Sequence, residues 1–287
     1  MSIRIGLIGT DITTSLSPAL HIAEAAAHGL DGYRYELIDL PADADPGAAL
    51  RVAVDDRDGF DGVNVTHPFK QEIMRVLDGI SDEARALGAV NTVVVRDGKL
   101  LGHNTDHTGF RTALAAGLPG ADMDRVVLVG AGGAGSAVAF ALAHSGVAHL
   151  TIADVDPVRA AGLAARVAAE NPESHTSAVT LDHLLELIAH ADGIVNATPI
   201  GMVGHPGLPL PIECLRSEHW VADIIYRPMR TELICAAERV GARILDGGQM
   251  LVAQAAASFD LFTGCHADLN RMRAHLADIV TAASAAA

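Results

Sequence analysis

The sequence predicts an α/β protein of two domains, the second of them a doubly wound parallel sheet. Three observations carry this. Apolar, β-branched runs alternate with helical stretches along much of the 287 residues, the pattern of a parallel sheet covered by helices. The run Val126–Val129 breaks into Gly130-Ala131-Gly132-Gly133-Ala134-Gly135 and then an alanine-rich stretch, Ser136–His144. A second apolar run, His149–Ala153, ends on Asp154. Strand, glycine turn, helix, strand and acid fit G-x-G-x-x-G, with the acid a little over ~20 residues on. Gly130 permits the tight turn, Gly132 lets the backbone approach a pyrophosphate, and Gly135 lets helix and strand pack closely. The helix N-terminus offers free N–H groups and a positive dipole end to phosphates. The expectation is a Rossmann-type dinucleotide site. Residues 126–153 hold no Asp, Glu, Lys or Arg, so hydropathy alone reads them as a membrane span. The glycines, His144 and His149 favour a buried strand–helix–strand unit. Asp156 before Pro157 is the better N-cap for the next helix, which leaves Asp154 for another role.

The remaining elements follow in order. Ile3–Ile8 is a short buried strand, and Gly9–Ser15 is the loop after it. Ser17-Pro18 opens a helix that ends near Gly29. Tyr33–Leu40 alternates like a strand, and Pro46–Asp56 reads as a helix. Gly62–Thr66 is a strand closed by His67-Pro68. Phe69–Leu77 turns helical, and Ser81 caps a helix to Leu87. Ala89–Arg96 and Lys99–Gly102 form a hairpin around Asp97-Gly98, a primed-turn signal. Later strands are expected at Gly193–Ala197 and Trp220–Ile225. The Pro/Gly-rich loop Pro199–Pro211 between them suits a lid or a cofactor edge. Apolar helices follow Gly247-Gly248, at Gln249–Thr263 and Asp268–Ala283. The tail Thr281–Ala287 is expected to fray.

Composition narrows the function classes. A net charge of −15 disfavours nucleic acid and anionic membranes as partners. An anionic substrate therefore needs local donors rather than a basic surface. Cys214, Cys235 and Cys265 are odd in number and far apart. Neither a disulfide framework nor a C-x-x-C metal site is expected, and a reducing cytoplasm is. The N-terminus has no signal-peptide shape. No H-E-x-x-H occurs among the fourteen histidines, and no metal is expected.

Several polar residues stand in apolar surroundings. The chain has only two lysines, Lys70 and Lys99, against eighteen arginines. Lys99 lies in the hairpin turn. Lysine, unlike arginine, can deprotonate when desolvated, so Lys70 reads either as a base or as a solvated residue of a first helical turn. Asp106 closes Gly102-His-Asn-Thr-Asp106 and reads either as chemistry or as the N-cap of a helix over Thr108–Ala115. Asn91 and Thr92 interrupt an apolar strand, where a buried amide needs a partner or a ligand. Ser17 reads as an N-cap before Pro18, whereas Ser15 has no such role. Two hydroxyls beside a helix N-terminus suit a carboxylate. Tyr226 ends the strand begun at Trp220, and Gln254 sits inside an apolar helix.

Eight segments together resemble the shikimate/quinate dehydrogenase family. They are Ser15-Leu-Ser17-Pro-Ala-Leu-His21, Asn64-Val-Thr66-His-Pro-Phe-Lys70, Gly88-Ala-Val-Asn91-Thr92, Gly102-His-Asn-Thr-Asp106, Gly130-Ala-Gly-Gly-Ala134, Asn196-Ala-Thr198-Pro-Ile-Gly-Met202, Asp223-Ile-Ile-Tyr226 and Gly247-Gly-Gln-Met-Leu-Val-Ala-Gln254. The resemblance implies a substrate-binding, catalytic domain at 1–106, completed by the C-terminal helices in 250–287, and an NAD(P)-binding Rossmann domain at 107–249. It implies reversible oxidation of a ring hydroxyl of shikimate or quinate, a small cyclohexene or cyclohexane carboxylate. Ser15 and Ser17 would hold the carboxylate. Thr66, Asn91, Asp106, Tyr226 and Gln254 would surround the ring. Lys70 would be the acid/base beside Asp106, the two acting as a coupled pair. On the cofactor side it places Asp82, Gly130, Ala131, Gly132, Gly133, Ala134 and Thr198, with Ile224 and Gly247 near the nicotinamide. A homodimer is compatible with this reading.

The cofactor stretch departs from the commoner family pattern, in which Asn-Arg-Thr and a further basic residue suit NADP. Here it runs Ala153-Asp154-Val155-Asp156-Pro157-Val158-Arg159. Asp154 can accept hydrogen bonds from the ribose hydroxyls of NAD. The NADP 2′-phosphate would lie against that carboxylate, at a cost of about 1–4 kcal/mol for like charges ~4 Å apart. Arg159 either offsets this by reaching the phosphate or flanks the adenine. NAD is expected ahead of NADP. Paired serines at 15 and 17 lean towards shikimate, and the NAD signature leans towards the quinate-using branch. Shikimate is the expected substrate with quinate also accepted. Quinate- or aminoshikimate-specific dehydrogenase is the alternative, and a non-catalytic NAD sensor is the alternative of another class.

Overall fold

The computed structural model describes residues 2–55 and 59–285. The chain divides into two compact units. One takes the residues up to Thr105 and returns from Val252 onward, and the other runs Asp106–Leu251.

The first unit contains β1 (Ile3–Gly9), α1 (Ser17–Ala27), β2 (Tyr33–Asp39), α2 (Pro46–Asp55), β3 (Gly62–Val65), β4 (Gly79–Ile80), α3 (Asp82–Leu87), β5 (Thr92–Arg96) and β6 (Lys99–His103). Its sheet has the order β2-β1-β3-β5-β6-β4. β1 runs parallel to β2 and β3, and β5 runs antiparallel to β3 and β6. Ile5, Ile8, Val63, Val65 and Val93 bury against the covering helices. The hairpin forms where Asp97-Gly98 predicts it, with φ of 52° and 72° at the two turn residues, the positive pair a type I′ turn needs. Ser81 caps α3 through Ala84 N–H at 3.2 Å. Gly62 leaves room for a ring: a Cβ there would lie 2.6 Å from Cε1 of Phe262.

The second unit follows, with α4 (Thr105–Gly117) leading in, then β7 (Arg125–Val129), α5 (Gly133–His144), β8 (His149–Ala153), α6 (Pro157–Glu170), β9 (His175–Val179), α7 (Leu184–Ile188), β10 (Gly193–Asn196), β11 (Trp220–Asp223), α8 (Glu232–Val240) and β12 (Arg243–Leu245). Its six strands are all parallel, in the order β12-β11-β10-β7-β8-β9. The order reverses between β7 and β10, and the carboxyl ends of strands at such a switch point frame the ligand crevice of doubly wound folds. Val127, Val129, Ile194, Val221 and Leu233 form the core. The charge-free run 126–153 is strand, helix and strand, and among the described residues no helix is long and apolar enough to cross a membrane. The chain re-enters the first unit along α9 (Gly247–Thr263) and ends in α10 (Leu269–Ala285).

Several sequence expectations need correction. Phe69–Leu77 holds only a 3-10 turn at Glu72–Val76: the Lys70 carbonyl, which a helix would offer to Met74, accepts from Val90 N–H, and Met74 N–H bonds the Gln71 carbonyl instead. Asp106 is not an N-cap: α4 already begins at Thr105. Tyr226 lies beyond β11, which ends at Asp223. Gly247 and Gly248 sit inside the first turn of α9 rather than before it. The helix expected to reach Asp56 is described to Asp55, and Asp56 lies outside the described residues. The tail stays helical to Ala285, and the last two residues lie outside them.

A buried polar clasp joins α1 to the C-terminal helices of the first unit. His21 is fully buried, with Nδ1 2.9 Å from the Tyr33 hydroxyl and Nε2 3.3 Å from Ser258 Oγ. Burial pushes its pKa down to about 3 against the pull of the nearby Glu24 charge, so the imidazole is neutral. Glu24, 1 % exposed, accepts two bonds from the Arg271 guanidinium at 2.6 and 2.8 Å and one from Asp268 N–H at 2.7 Å. Burial alone would raise the Glu24 carboxyl, but these bonds, with the Arg271 charge and His28, hold it below the ordinary value. A depressed folded pKa gives stability that is complete above the ordinary carboxylate value and lost as pH falls through the folded one. Glu24→Gln is therefore expected to lower unfolding stability by about 1–3 kcal/mol at pH 7. The gap from wild type should shrink below about pH 4. Urea midpoints at the two pH values check this, and a pH-independent gap would refute it.

Candidate active site

In the first unit, the carboxyl ends of β1 and β3 gather one group of residues. Thr66 N–H donates to Ile8 carbonyl at 2.9 Å, and Val65 N–H donates to Asn91 carbonyl at 2.8 Å. Lys70 carbonyl accepts from Val90 N–H at 2.8 Å, which brings the Lys70 turn beside Asn91. Gly9 makes the close approach possible, since a Cβ there would lie 2.7 Å from Cγ2 of Ile12 and closer still to Thr66. The loop that leaves Gly9 carries Ser15 and Ser17. The N-cap role expected of Ser17 is not found, since the N-cap position falls on Leu16. Ser17 is the first residue of α1, whose start has no side-chain cap, and Ser15 Oγ accepts from Ser17 N–H at 3.3 Å.

Asn91 finds protein partners. Its Oδ1 accepts from Thr105 N–H at 2.7 Å and from the Thr92 hydroxyl at 3.0 Å. Its Nδ2 donates to the Thr105 hydroxyl at 3.1 Å. Asn64 extends the network, donating to Thr92 at 3.0 Å and accepting from the Tyr35 hydroxyl at 2.8 Å. The network fixes the backbone immediately ahead of Asp106, which is 8 % exposed. Gln254 is half-buried in α9. It lies one helical turn before Ser258, as Ser17 lies one turn before His21, and Ser258 and His21 are in contact.

The second unit holds the glycine turn. Gly130 takes φ +106° and abuts the Ala197 carbonyl, 2.7 Å from where a Cβ would stand. A Cβ at Gly135 would lie 2.8 Å from the Gly130 carbonyl carbon and nearer still to its oxygen. At Gly132 a Cβ would meet nothing within 4 Å, and α5 starts there without a side-chain cap. Two glycines thus serve packing and one leaves open approach to uncapped helix N–H groups, which fits a bound pyrophosphate. Ala131 N–H donates to Asp154 Oδ2 at 2.6 Å, and Asp156 N–H to Asp154 Oδ1 at 2.9 Å. Asp156 caps α6 through Val158 and Arg159 N–H, as its place before Pro157 predicts. The Arg159 guanidinium lies 3.8 Å from Asp154 and 3.6 Å from Asp156. Val155 and Val158, 77 % and 79 % exposed, present apolar surface beside the pair.

Thr198 follows β10, and Ile224 and Tyr226 follow β11, at the carboxyl ends of two paired strands, and Gly247 opens α9. A Cβ at Gly247 would lie 2.5 Å from the Ile224 carbonyl oxygen, so α9 starts against that backbone. Burial pushes the Tyr226 hydroxyl pKa up, partly opposed by Arg227, and the phenol stays protonated. Three residues tie this edge together, Asn196, Asp223 and Thr231; sequence reasoning quoted the first two within family segments without a role and missed the third. Asp82, an exposed first residue of α3, belongs to the first unit, while every other expected cofactor residue belongs to the second.

Residues 7–93 match the family described as the shikimate dehydrogenase substrate binding domain, and residues 247–277 match the shikimate 5'-dehydrogenase C-terminal domain. Residues 115–172 match the ThiF family. The NADP(+) shikimate dehydrogenase of Arthrobacter sp. strain FB24 is 50 % identical, over 98 % of this chain and 96 % of that one. The NAD(+) quinate/shikimate dehydrogenase of Corynebacterium efficiens is 46 % identical, over 95 % and 97 %. The structure of quinate dehydrogenase from Corynebacterium glutamicum in complex with NAD superposes with a TM-score of 0.90 at 44 % identity, over 96 % of this chain and 99 % of that one. The sequence resemblance, the two α/β units and the glycine turn thus agree, and the chain belongs to the shikimate/quinate dehydrogenase family of NAD(P)-dependent oxidoreductases acting on a CH–OH group.

Proposed function

We propose that the protein interconverts shikimate and 3-dehydroshikimate with NAD as the preferred cofactor, and that it also oxidises quinate. The observation that carries the cofactor choice is Asp154, buried at the end of β8 with its carboxylate against the glycine turn. Each carboxylate oxygen accepts one backbone bond and keeps capacity for a ribose hydroxyl. A 2′-phosphate would bring negative charge to the same place. Arg159 is already balanced by Asp154 and Asp156, which leaves it a weak counterweight. Val155 and Val158 suit the flat face of an adenine. The relatives divide between NADP and NAD, and Asp154 is what favours the second.

Ser15 and Ser17 supply hydroxyl and backbone donors to the substrate carboxylate, as a chain of net charge −15 requires. Thr66, Asn91, Asp106, Tyr226 and Gln254 hold the ring hydroxyls, with the protonated Tyr226 phenol donating. Held by the glycine turn and Asp154, a nicotinamide cofactor would supply the hydride acceptor for the carbinol carbon. The hydroxyl proton must leave in the same step, and Lys70 Nζ is the group assigned to receive it, with Asp106 as its acidic partner. In the reverse direction Lys70 returns the proton. Asp82 is proposed on the cofactor side on the family pattern alone.

The test is absorbance of reduced cofactor with shikimate and with quinate, each against NAD and NADP. Higher kcat/KM with NAD for both acids is expected. Preference for NADP with shikimate alone would overturn the cofactor assignment and make Arg159 dominant over Asp154.

A further inference from the structure

One carboxylate closes the loop that carries Tyr226 at both of its ends. The last ladder bond of β11 is from Ile224 N–H to Asn196 carbonyl, 3.1 Å. Beyond it the side chain of Asp223 takes over from the sheet. Its Oδ1 accepts from Ile225 N–H at 3.0 Å and its Oδ2 from the Thr231 hydroxyl at 2.7 Å. Thr231 is in turn the N-cap of α8, accepting from Ile234 N–H at 3.2 Å. Residues 224–230 are thus pinned at start and finish by a residue 2 % exposed.

The same carboxylate reaches the neighbouring strand. Asn196 Nδ2 donates to Asp223 Oδ1 at 3.1 Å, and Asn196 Oδ1 accepts from Thr198 N–H at 3.0 Å and Thr198 Oγ1 at 2.7 Å. Thr198 Oγ1 accepts from Ile200 N–H at 3.1 Å. The turn so held is the one against which Gly130 packs, and the Ile224–Ile225 backbone is the one against which Gly247 packs. Three donors meet the Asp223 carboxylate, so its surroundings address the ionised form although burial raises its pKa.

We propose that Asp223 is a positioning residue for hydride transfer, setting the Thr198 turn and the Ile224–Tyr226 segment relative to the glycine turn. Its three hydrogen-bond donors are protein groups, and its role is exerted through them. The inference rests on the proposed reading of this edge as the place where nicotinamide and substrate meet.

The test compares Asp223→Asn, Thr231→Val and Thr231→Ser with wild type in thermal unfolding, NADH binding by fluorescence, and steady-state kinetics with shikimate. Asp223→Asn turns one acceptor into a donor and leaves a donor unmatched. It is expected to lower kcat/KM by about ten- to a hundredfold through misplacement of the reacting groups, with NADH affinity held within about threefold. Thr231→Val, which removes a single bond, should follow it in the same direction, and Thr231→Ser should restore wild-type kinetics. If Asp223→Asn does not fold, the two Thr231 variants decide. Lowered melting temperatures with kcat and KM both unchanged would make the network structural only and overturn the proposal. Wild-type inactivity with every acid and cofactor pair would sink the reading of the site and the proposal with it.

Discussion

Lys70→Ala is expected to bind NADH as the wild type does and to lose turnover by roughly 10²–10⁴-fold, the range general acid–base catalysis contributes. Oxidation of a carbinol separates a hydride from a proton, and the proton needs a destination at the moment of transfer. Lys70 lies on the turn after β3, with its backbone tied to Val90 beside Asn91. The glycine turn belongs to the other unit, so the alanine variant leaves cofactor recognition intact. The decisive pair of measurements is NADH fluorescence titration and kcat with saturating shikimate. Loss of both together would mean that Lys70 supports structure or binding. Unchanged kcat would remove it from the chemistry.

Gly135→Ala is expected to cost NADH affinity at least about a hundredfold, because the turn that holds the pyrophosphate must deform. The added methyl would sit 2.8 Å from the Gly130 carbonyl carbon and closer to its oxygen. That backbone has no easy retreat, for Gly130 stands at φ +106° against Ala197 and Thr198. Overpacking of this kind also costs about 1–3 kcal/mol of stability, sometimes more. Gly132→Ala is the control. Its methyl would meet nothing within 4 Å, so stability should hold while the approach of the pyrophosphate is obstructed. Melting temperatures with NADH titrations separate the two cases. Wild-type affinity in Gly135→Ala would show that the turn is not the cofactor's seat.

Local chemistry explains what was legible in the sequence. Asp97-Gly98, Ser81 before α3, Asp156 before Pro157 and the glycine turn each state their geometry within a few residues, and each forms as read. Boundaries were less legible. The N-cap of α1 falls on Leu16 rather than Ser17, a shift of one residue, and helix starts are indistinct at that scale. Edge strands carry little pattern: β9 is the polar His175-Thr-Ser-Ala-Val179, and β12 has three residues. Long-range pairing was not readable at all. Asn91 is satisfied by Thr105, fourteen residues on, and Asn196 meets Asp223 across twenty-seven. Nothing in either local sequence names its partner. In the proposed site the donors and acceptors were identifiable by residue type, whereas the framework that aims them exists only once the strands are laid side by side.

The first unit is interrupted: its chain leaves at Thr105 and returns at Val252. During synthesis that order has a consequence. When Leu251 emerges, every residue of the 106–251 unit is available, while the earlier unit still lacks most of α9 and all of α10. Its sheet then has no Phe262 over Gly62, His21 has no Ser258, and the Glu24 carboxylate has no Arg271. Domains of a nascent chain usually fold in order from the N-terminus, but here the unit whose residues are complete first is the 106–251 unit. The expected order of folding is therefore the inner stretch before the stretches that flank it.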